Sequence, residues 1–289
     1  MQFIIFILVY PIIWFISILP FRILYMFSDV VYFLIYHVIG YRRKVVRENI
    51  AMALPYLSEK ERLLIEKKSY HHLCDMFLEM VKTMSISQKE MDRRFVFTNL
   101  ELYQNLEKKQ KSIALMCAHY ATYEWVISMN KHITFEGFAI YKKINNKYFD
   151  KLVKDIRSRF KATLITTTET IPVMEKNLRT NHLGVYGFAS DQSPQATRAY
   201  HWAKFMGIET PVHTGAEMLA KRFNMNVIFL RVKKVKRGYY EATFELMFEN
   251  PKEVPNYQIS DEFLRRVEKQ IGEAPEFYLW THKRWKHKK

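Results

Sequence analysis

The run Cys117-Ala118-His119-Tyr120-Ala121-Thr122-Tyr123-Glu124 holds an imidazole and a carboxylate five positions apart. A neutral imidazole can take a proton from a hydroxyl, and a carboxylate on its other nitrogen fixes the tautomer that does so. That is the chemistry of a general base acting on an alcohol. The apolar stretch Ser112-Ile113-Ala114-Leu115-Met116 just upstream reads as a buried strand. His119 then stands at the strand's exit and Glu124 in the first turn of a following helix, where the helix N-terminal field favours an anion. On one continuous helix, five residues advance about 500°, so the two groups would not share a face. They meet only if His119 lies in the turn. A His-x4-Glu spacing also arises by chance, and a satisfied histidine at a strand end is the plain structural alternative.

Other polar groups fall in comparable places. A second buried strand, Gly184–Ala189, runs out into Ser190-Asp191-Gln192, and Arg157 and Arg159 come late in a helical segment. In a sheet covered by helices, reactive groups gather beyond the strand ends. Taken singly, Asp191 could cap a turn before Pro194, and the two arginines could belong to a solvated helix face. His71, Asp75 and Glu79 share a face of another helix and could be imagined as metal ligands, but a solvated polar face explains them just as well.

The elements that would position these residues follow from periodicity. Arg47 to Met84 is helical in pattern, broken at Pro55 and restarted by a capping box at Ser58 and Glu61. From Lys111 strands and helices alternate. Strands fall at 112–118, 135–141, 162–165 and 184–189, and helices at 123–131, 145–160, 170–179, 214–223 and 260–271, the last capped by Ser260. A hairpin joins 227–235 to 239–248 across Lys236-Arg237-Gly238. This succession predicts an α/β fold, a mixed sheet layered with helices, over residues 106–289, preceded by a helical region at 41–105.

Residues 1–40 have a different character. Phe3 to Leu19 carries no charged side chain, and a second apolar stretch, Val30 to Ile39, follows Arg22. Phe3–Phe21 approaches the length of about 20 residues that crosses a bilayer, with Pro11 as a tolerated kink. A cleaved signal peptide would need a basic start and a small-residue cleavage site, and neither is present. The segment is therefore expected to be a membrane helix. Tyr41-Arg42-Arg43-Lys44-Val45-Val46-Arg47 follows at once, placing this side in the cytoplasm by the positive-inside rule.

The formal net charge of +16 over 289 residues calls for an anionic partner. Beside a membrane helix, lipid headgroups or an acidic carrier protein fit better than nucleic acid, although the tail from Trp280 to Lys289 interleaves tryptophan with cations. The two cysteines, Cys74 and Cys117, sit in apolar patterns and indicate neither a disulfide framework nor a metal site.

Together these stretches resemble the late (secondary) acyltransferases of lipid A synthesis, the lauroyl and myristoyl transferases. The resemblance covers most of the chain. It runs through Arg42-Arg43-Lys44-Val45-Val46-Arg47-Glu48-Asn49, His119 to Glu124, Arg157-Ser158-Arg159, Gly184 to Gln192, and the block Pro275-Glu276-Phe277-Tyr278-Leu279-Trp280-Thr281-His282-Lys283-Arg284. It implies a glycerolipid-acyltransferase-like fold at the inner membrane. It further implies direct transfer of an acyl chain from acyl carrier protein, or from acyl-CoA, to a lipid hydroxyl, with no cofactor and no metal. His119 oriented by Glu124 would be the base. Arg157, Arg159 or backbone amides would serve the oxyanion, with Asp191 pairing with Arg157 or positioning the acceptor, and His282 a weaker site candidate. After Asp191-Gln192 the family continues with acidic and glycine residues, whereas this chain reads Ser193-Pro194-Gln195-Ala196-Thr197-Arg198, and His213 stands near the later Thr214-Gly215. Those departures fall where acceptor or acyl chain would bind. The rival expectations are acylation of another lyso- or amino-lipid, and a basic membrane-binding protein without catalysis.

Overall fold

A computed structural model describes residues 2–195, 197 and 199–289. Ala196 and Arg198, in the segment that departs from the family pattern, lie outside the described residues. In chain order the helices and strands are α1 (Gln2–Ile18), α2 (Phe21–Phe33), α3 (Arg43–Ala53), α4 (Glu59–Lys82), α5 (Gln88–Arg94), β1 (Phe95–Thr98), α6 (Leu100–Glu107), β2 (Ile113–Cys117), β3 (Glu136–Tyr141), α7 (Lys147–Ser158), β4 (Ala162–Thr166), α8 (Thr170–Arg179), β5 (Gly184–Ala189), β6 (Trp202–Phe205), β7 (Ile208–Pro211), α9 (Gly215–Arg222), β8 (Asn226–Lys236), β9 (Tyr239–Phe248) and α10 (Gln258–Glu273).

Among the described residues seven strands form one sheet in the order β1-β9-β8-β2-β5-β3-β4, and β6 pairs with β7 apart from it. The sheet is mixed: β8 and β9 are antiparallel, and the other neighbours are parallel. This is the expected α/β architecture. β2 lies centrally, and Ile113 to Cys117 are buried without a break, the signature of a strand covered on both faces. Its parallel register against β5 pairs Cys117 with Ala189, so the residues just past the two strands emerge at the same height.

Several local expectations are met and a few are corrected. Ser58 and Glu61 make the capping box at the start of α4. The hairpin turns at Gly238, where φ is +75° and a Cβ would strike the Tyr25 hydroxyl, so only glycine fits. The region 41–105 is not wholly helical: β1 comes from it and pairs with β9 at the sheet edge. Ser260 does not cap α10. The helix begins earlier, and Glu217 of α9 accepts from the backbone N–H groups of Tyr257 and Ser260 and from the Ser260 hydroxyl. A buried carboxylate thus satisfies the first-turn donors that a capping serine would have met. The segment Tyr123–Lys131 is wound as a 3-10 helix, not an α-helix.

The apolar N-terminus is two helices separated at Leu19-Pro20, and not one uninterrupted span. Phe21–Ile39, with a π-helical end at Leu34–Ile39, has the length and hydropathy to cross a membrane, whereas α1 is shorter.

Candidate active site

β2 delivers His119 two residues past its last pair, and β5 delivers Asp191 two residues past Ala189. The Asp191 Oδ1 atom accepts from the His119 backbone N–H at 3.0 Å and pairs with the ring Nδ1 at 2.7 Å. Asp191 is 1% exposed, while the His119 side chain retains 17%. The ring is thus held from behind and open in front. Burial works to lower the pKa of His119, but the charge and hydrogen bond of Asp191 outweigh it, with the Glu124 charge adding, so the ring is held above its ordinary 6.5. Burial works to raise Asp191, and His119 overcomes that, holding the carboxyl below 3.8. An ionised Asp191 can only accept, so in the neutral ring the proton sits on Nδ1 and Nε2 keeps its lone pair.

The carboxylate expected at His119 is therefore not the one found there. Glu124, 8% exposed, instead accepts a two-pronged bond from Arg157, from Nε at 2.9 Å and Nη2 at 2.7 Å. The partners differ from the sequence reading, which gave Glu124 to His119 and offered Asp191 either to Arg157 or to the acceptor. The cause is local. Ala121 takes a left-handed φ of +50° and the chain then enters a 3-10 winding, so Glu124 is swung towards α7. Arg157, at the last turn of α7, meets it with planar fork geometry. Burial works to lower the Arg157 pKa, and the Glu124 charge more than reverses it. Arg159 is withdrawn from the site: it donates to the carbonyls of Thr83 at 2.9 Å and Ile86 at 3.2 Å, where α4 ends with carbonyls left over.

The turn 118–122 is shaped by the C-terminal block. Ala121 N–H donates to the Phe277 carbonyl at 2.9 Å, Leu279 N–H to the His119 carbonyl at 3.2 Å, and Tyr120 bridges to Tyr278. The block is gripped in turn by Asn49, whose Nδ2 donates to the carbonyls of Trp280 at 2.8 Å and His282 at 2.7 Å. Thus the Asn at the end of the Arg-Arg motif acts on the histidine turn through one intermediate strand of chain. Tyr123 stands edge-on to the imidazole, ring centroids 4.9 Å apart.

Two more histidines stand near Asp191 and differ from His119. His282 Nε2 accepts from the Ser193 N–H at 3.3 Å, and burial pushes its pKa down to about 4. Burial, then the Arg284 charge, also lowers His213. Of the three rings, only His119 is held more basic than an ordinary imidazole. His71, Asp75 and Glu79 do not gather around an empty centre: Asp75 accepts from Ser28 and Arg237, and Glu79 from Tyr25 and Tyr240. A small, largely buried space between α4 and the C-terminal block, lined by Ser69, Tyr70, His72, Leu73, Met76 and Phe277, also touches His119. The site as built can draw a proton from a hydroxyl that reaches the open face of the His119 ring.

The sequence profile of the bacterial lipid A biosynthesis acyltransferases matches residues 1–287. The chain is also similar to the lipid A biosynthesis lauroyltransferase of Escherichia coli (strain K12), at 22% identity over 247 residues, covering 85% of this chain and 79% of that one.

Proposed function

Because the chain belongs to the bacterial lipid A biosynthesis acyltransferase family, we propose that it moves a fatty acyl chain from acyl carrier protein to a hydroxyl of lipid A or its precursor, at the cytoplasmic face of the inner membrane. The observation that carries this reading is the His119–Asp191 pair, buried behind the ring and open in front. His119 Nε2 takes the hydroxyl proton as the oxygen attacks the thioester carbonyl. The carbon–sulfur bond then breaks, and the departing thiolate receives the proton from the imidazolium. Asp191 orients the ring and stabilises its charge. Glu124 occupies Arg157 Nε and Nη2, and we assign the remaining Nη1 to the developing oxyanion. The +16 excess of cations suits an acidic carrier and a phosphorylated glycolipid.

The test is mass spectrometry of a lipid A precursor incubated with the purified protein and acyl carrier protein charged with fatty acids of several lengths. The expected product is heavier by one ester-linked acyl group. A precursor unchanged with every donor, while a glycerophospholipid is acylated, would overturn the acceptor assignment.

A pH dependence follows from the direction of the His119 shift. The base works when neutral, so kcat/KM is expected to rise with pH through a midpoint above 6.5. The stability contributed by the ion pair runs the other way at that end. It is fully present below 6.5 and is lost as pH rises through the raised value of His119. At the acid end it is lost as pH falls through the depressed value of Asp191. A profile rising below pH 6 would contradict the assignment of the base, since an imidazole free of the carboxylate titrates near or below about 6.5.

A further inference from the structure

The N-terminal helices are apolar enough to meet hydrocarbon, yet neither leaves the body. α1 is held at both ends. Near its start, Phe6 stacks on Tyr148 with centroids 5.6 Å apart and meets Phe149 edge-on at 5.5 Å, both at the beginning of α7. At its end, Lys82 Nζ donates to the carbonyls of Ser17 at 2.7 Å and Leu19 at 2.8 Å, and the Ser85 hydroxyl donates to the same Ser17 carbonyl. Arg159, just past the far end of α7, reaches Thr83 and Ile86 beside those groups. α1 thus lies along α7.

α2 and its π-helical continuation Leu34–Ile39 are pinned in the same lengthwise way along α4. The Tyr25 hydroxyl donates to Glu79 at 2.8 Å, the Ser28 hydroxyl to Asp75 at 2.7 Å, and the Tyr36 hydroxyl to Glu66 at 3.0 Å, while His71 pairs with Asp29 at 2.8 Å. The partners descend α4 as α2 ascends, so the helices are antiparallel. Arg237, from the β8–β9 turn, closes the cluster by bonding Asp75 and the Tyr25 carbonyl. The outward faces are hydrocarbon: Leu8, Ile12 and Phe15 on α1, and Met26, Val30 and Phe33 on α2, are each more than half exposed. Arg22 and Arg42 are exposed on the same two-helix unit and its exit, where cations meet headgroups.

We propose that α1 and α2 are a monotopic platform, lying in one leaflet with their apolar faces towards the acyl chains, and that the chain does not cross the bilayer. Each helix is tied to the body over about 16 Å of its length at 1.5 Å per residue. The hydrocarbon core is about 30 Å thick. Driving either helix through it would tear these ties or drag Asp29, Glu66, Asp75, Glu79 and Arg237 into hydrocarbon, where unrelieved charge is costly. Lying flat exposes only the apolar faces to lipid and leaves every tie intact. The inference rests on the membrane association proposed above.

The test uses the full chain with a hydrophilic epitope added at each end, produced in bacterial cells. Right-side-out spheroplasts and inverted membrane vesicles are treated with a protease that does not cross membranes. The expected result is that both epitopes survive in spheroplasts and both are lost in inverted vesicles. Loss of the N-terminal epitope alone in spheroplasts would show one crossing helix, and labelling of a Pro20→Cys variant by a membrane-impermeant maleimide in spheroplasts would show a crossing hairpin; either would overturn the platform while leaving membrane association standing. Recovery of the protein in the soluble fraction at low salt would overturn both.

Discussion

Asp191→Asn is expected to lower acyl transfer about 10²–10⁴-fold, close to the loss from His119→Ala, with the fold retained. The asparagine keeps the shape but loses the charge that makes Nδ1 the protonated nitrogen. Its amide can offer an N–H to Nδ1 instead, which moves the ring proton to Nε2 and removes the base. The buried pair is short, at 2.7 Å, and the same Oδ1 also receives the His119 backbone N–H, so the substitution disturbs ring and turn together. Two measurements check it: the transfer rate, and the titration of the His119 ring followed by NMR. The ring midpoint is expected to fall with Asp191→Asn and to fall less with Glu124→Gln, since Glu124 acts on the ring through charge alone. Near-wild-type transfer by Asp191→Asn beside an inactive, folded Glu124→Gln would restore the sequence reading, in which Glu124 orients the base.

Arg157→Ala is expected to destabilise the protein by about 3 kcal/mol, the lower end of what removing one partner of a buried ion pair costs. The lower end applies because the Arg157 side chain keeps 20% exposure while Glu124 keeps only 8%. The cost arises from the stranded carboxylate, not from the lost arginine. The double variant Glu124→Gln with Arg157→Met is therefore expected to recover most of the stability and none of the transfer. Denaturant unfolding in detergent reads the first quantity and an acyl transfer assay the second. Wild-type stability in Arg157→Ala would mean that Glu124 finds water or another donor once the guanidinium is gone.

The change of partner at His119 shows what a sequence can and cannot convey about a site. The strand before His119 and the strand before Asp191 were both legible as unbroken apolar runs, because a central parallel strand has no solvated face to alternate with. Each run is followed two residues on by the polar group. Had the two strands been taken as parallel neighbours, the Cys117 to Ala189 register would have put His119 beside Asp191 without further information. Adjacency between strand residues 72 positions apart is a tertiary fact, and the short His-x4-Glu spacing draws the pairing to itself. The left-handed Ala121 was not legible either. Alanine carries no signal for a positive φ, and the conformation is held by a hydrogen bond from the far end of the chain. Arg159 was misplaced for a similar reason: an i, i+2 pair on a helix points two ways, and only Arg157 faces Glu124 while Arg159 faces the end of α4. β1, β6 and β7 are not legible in the sequence because four-residue strands carry little periodicity.

The grip of residues 275–282 on the turn that bears His119 has a consequence for how the molecule is made. Residues 275–282 are made about 150 residues after the turn they shape, so Ala121 and His119 wait for these backbone partners long after their own strand has left the ribosome. All seven strands of the sheet precede residue 249, so the geometry that readies the base is completed only once the whole sheet has been synthesised.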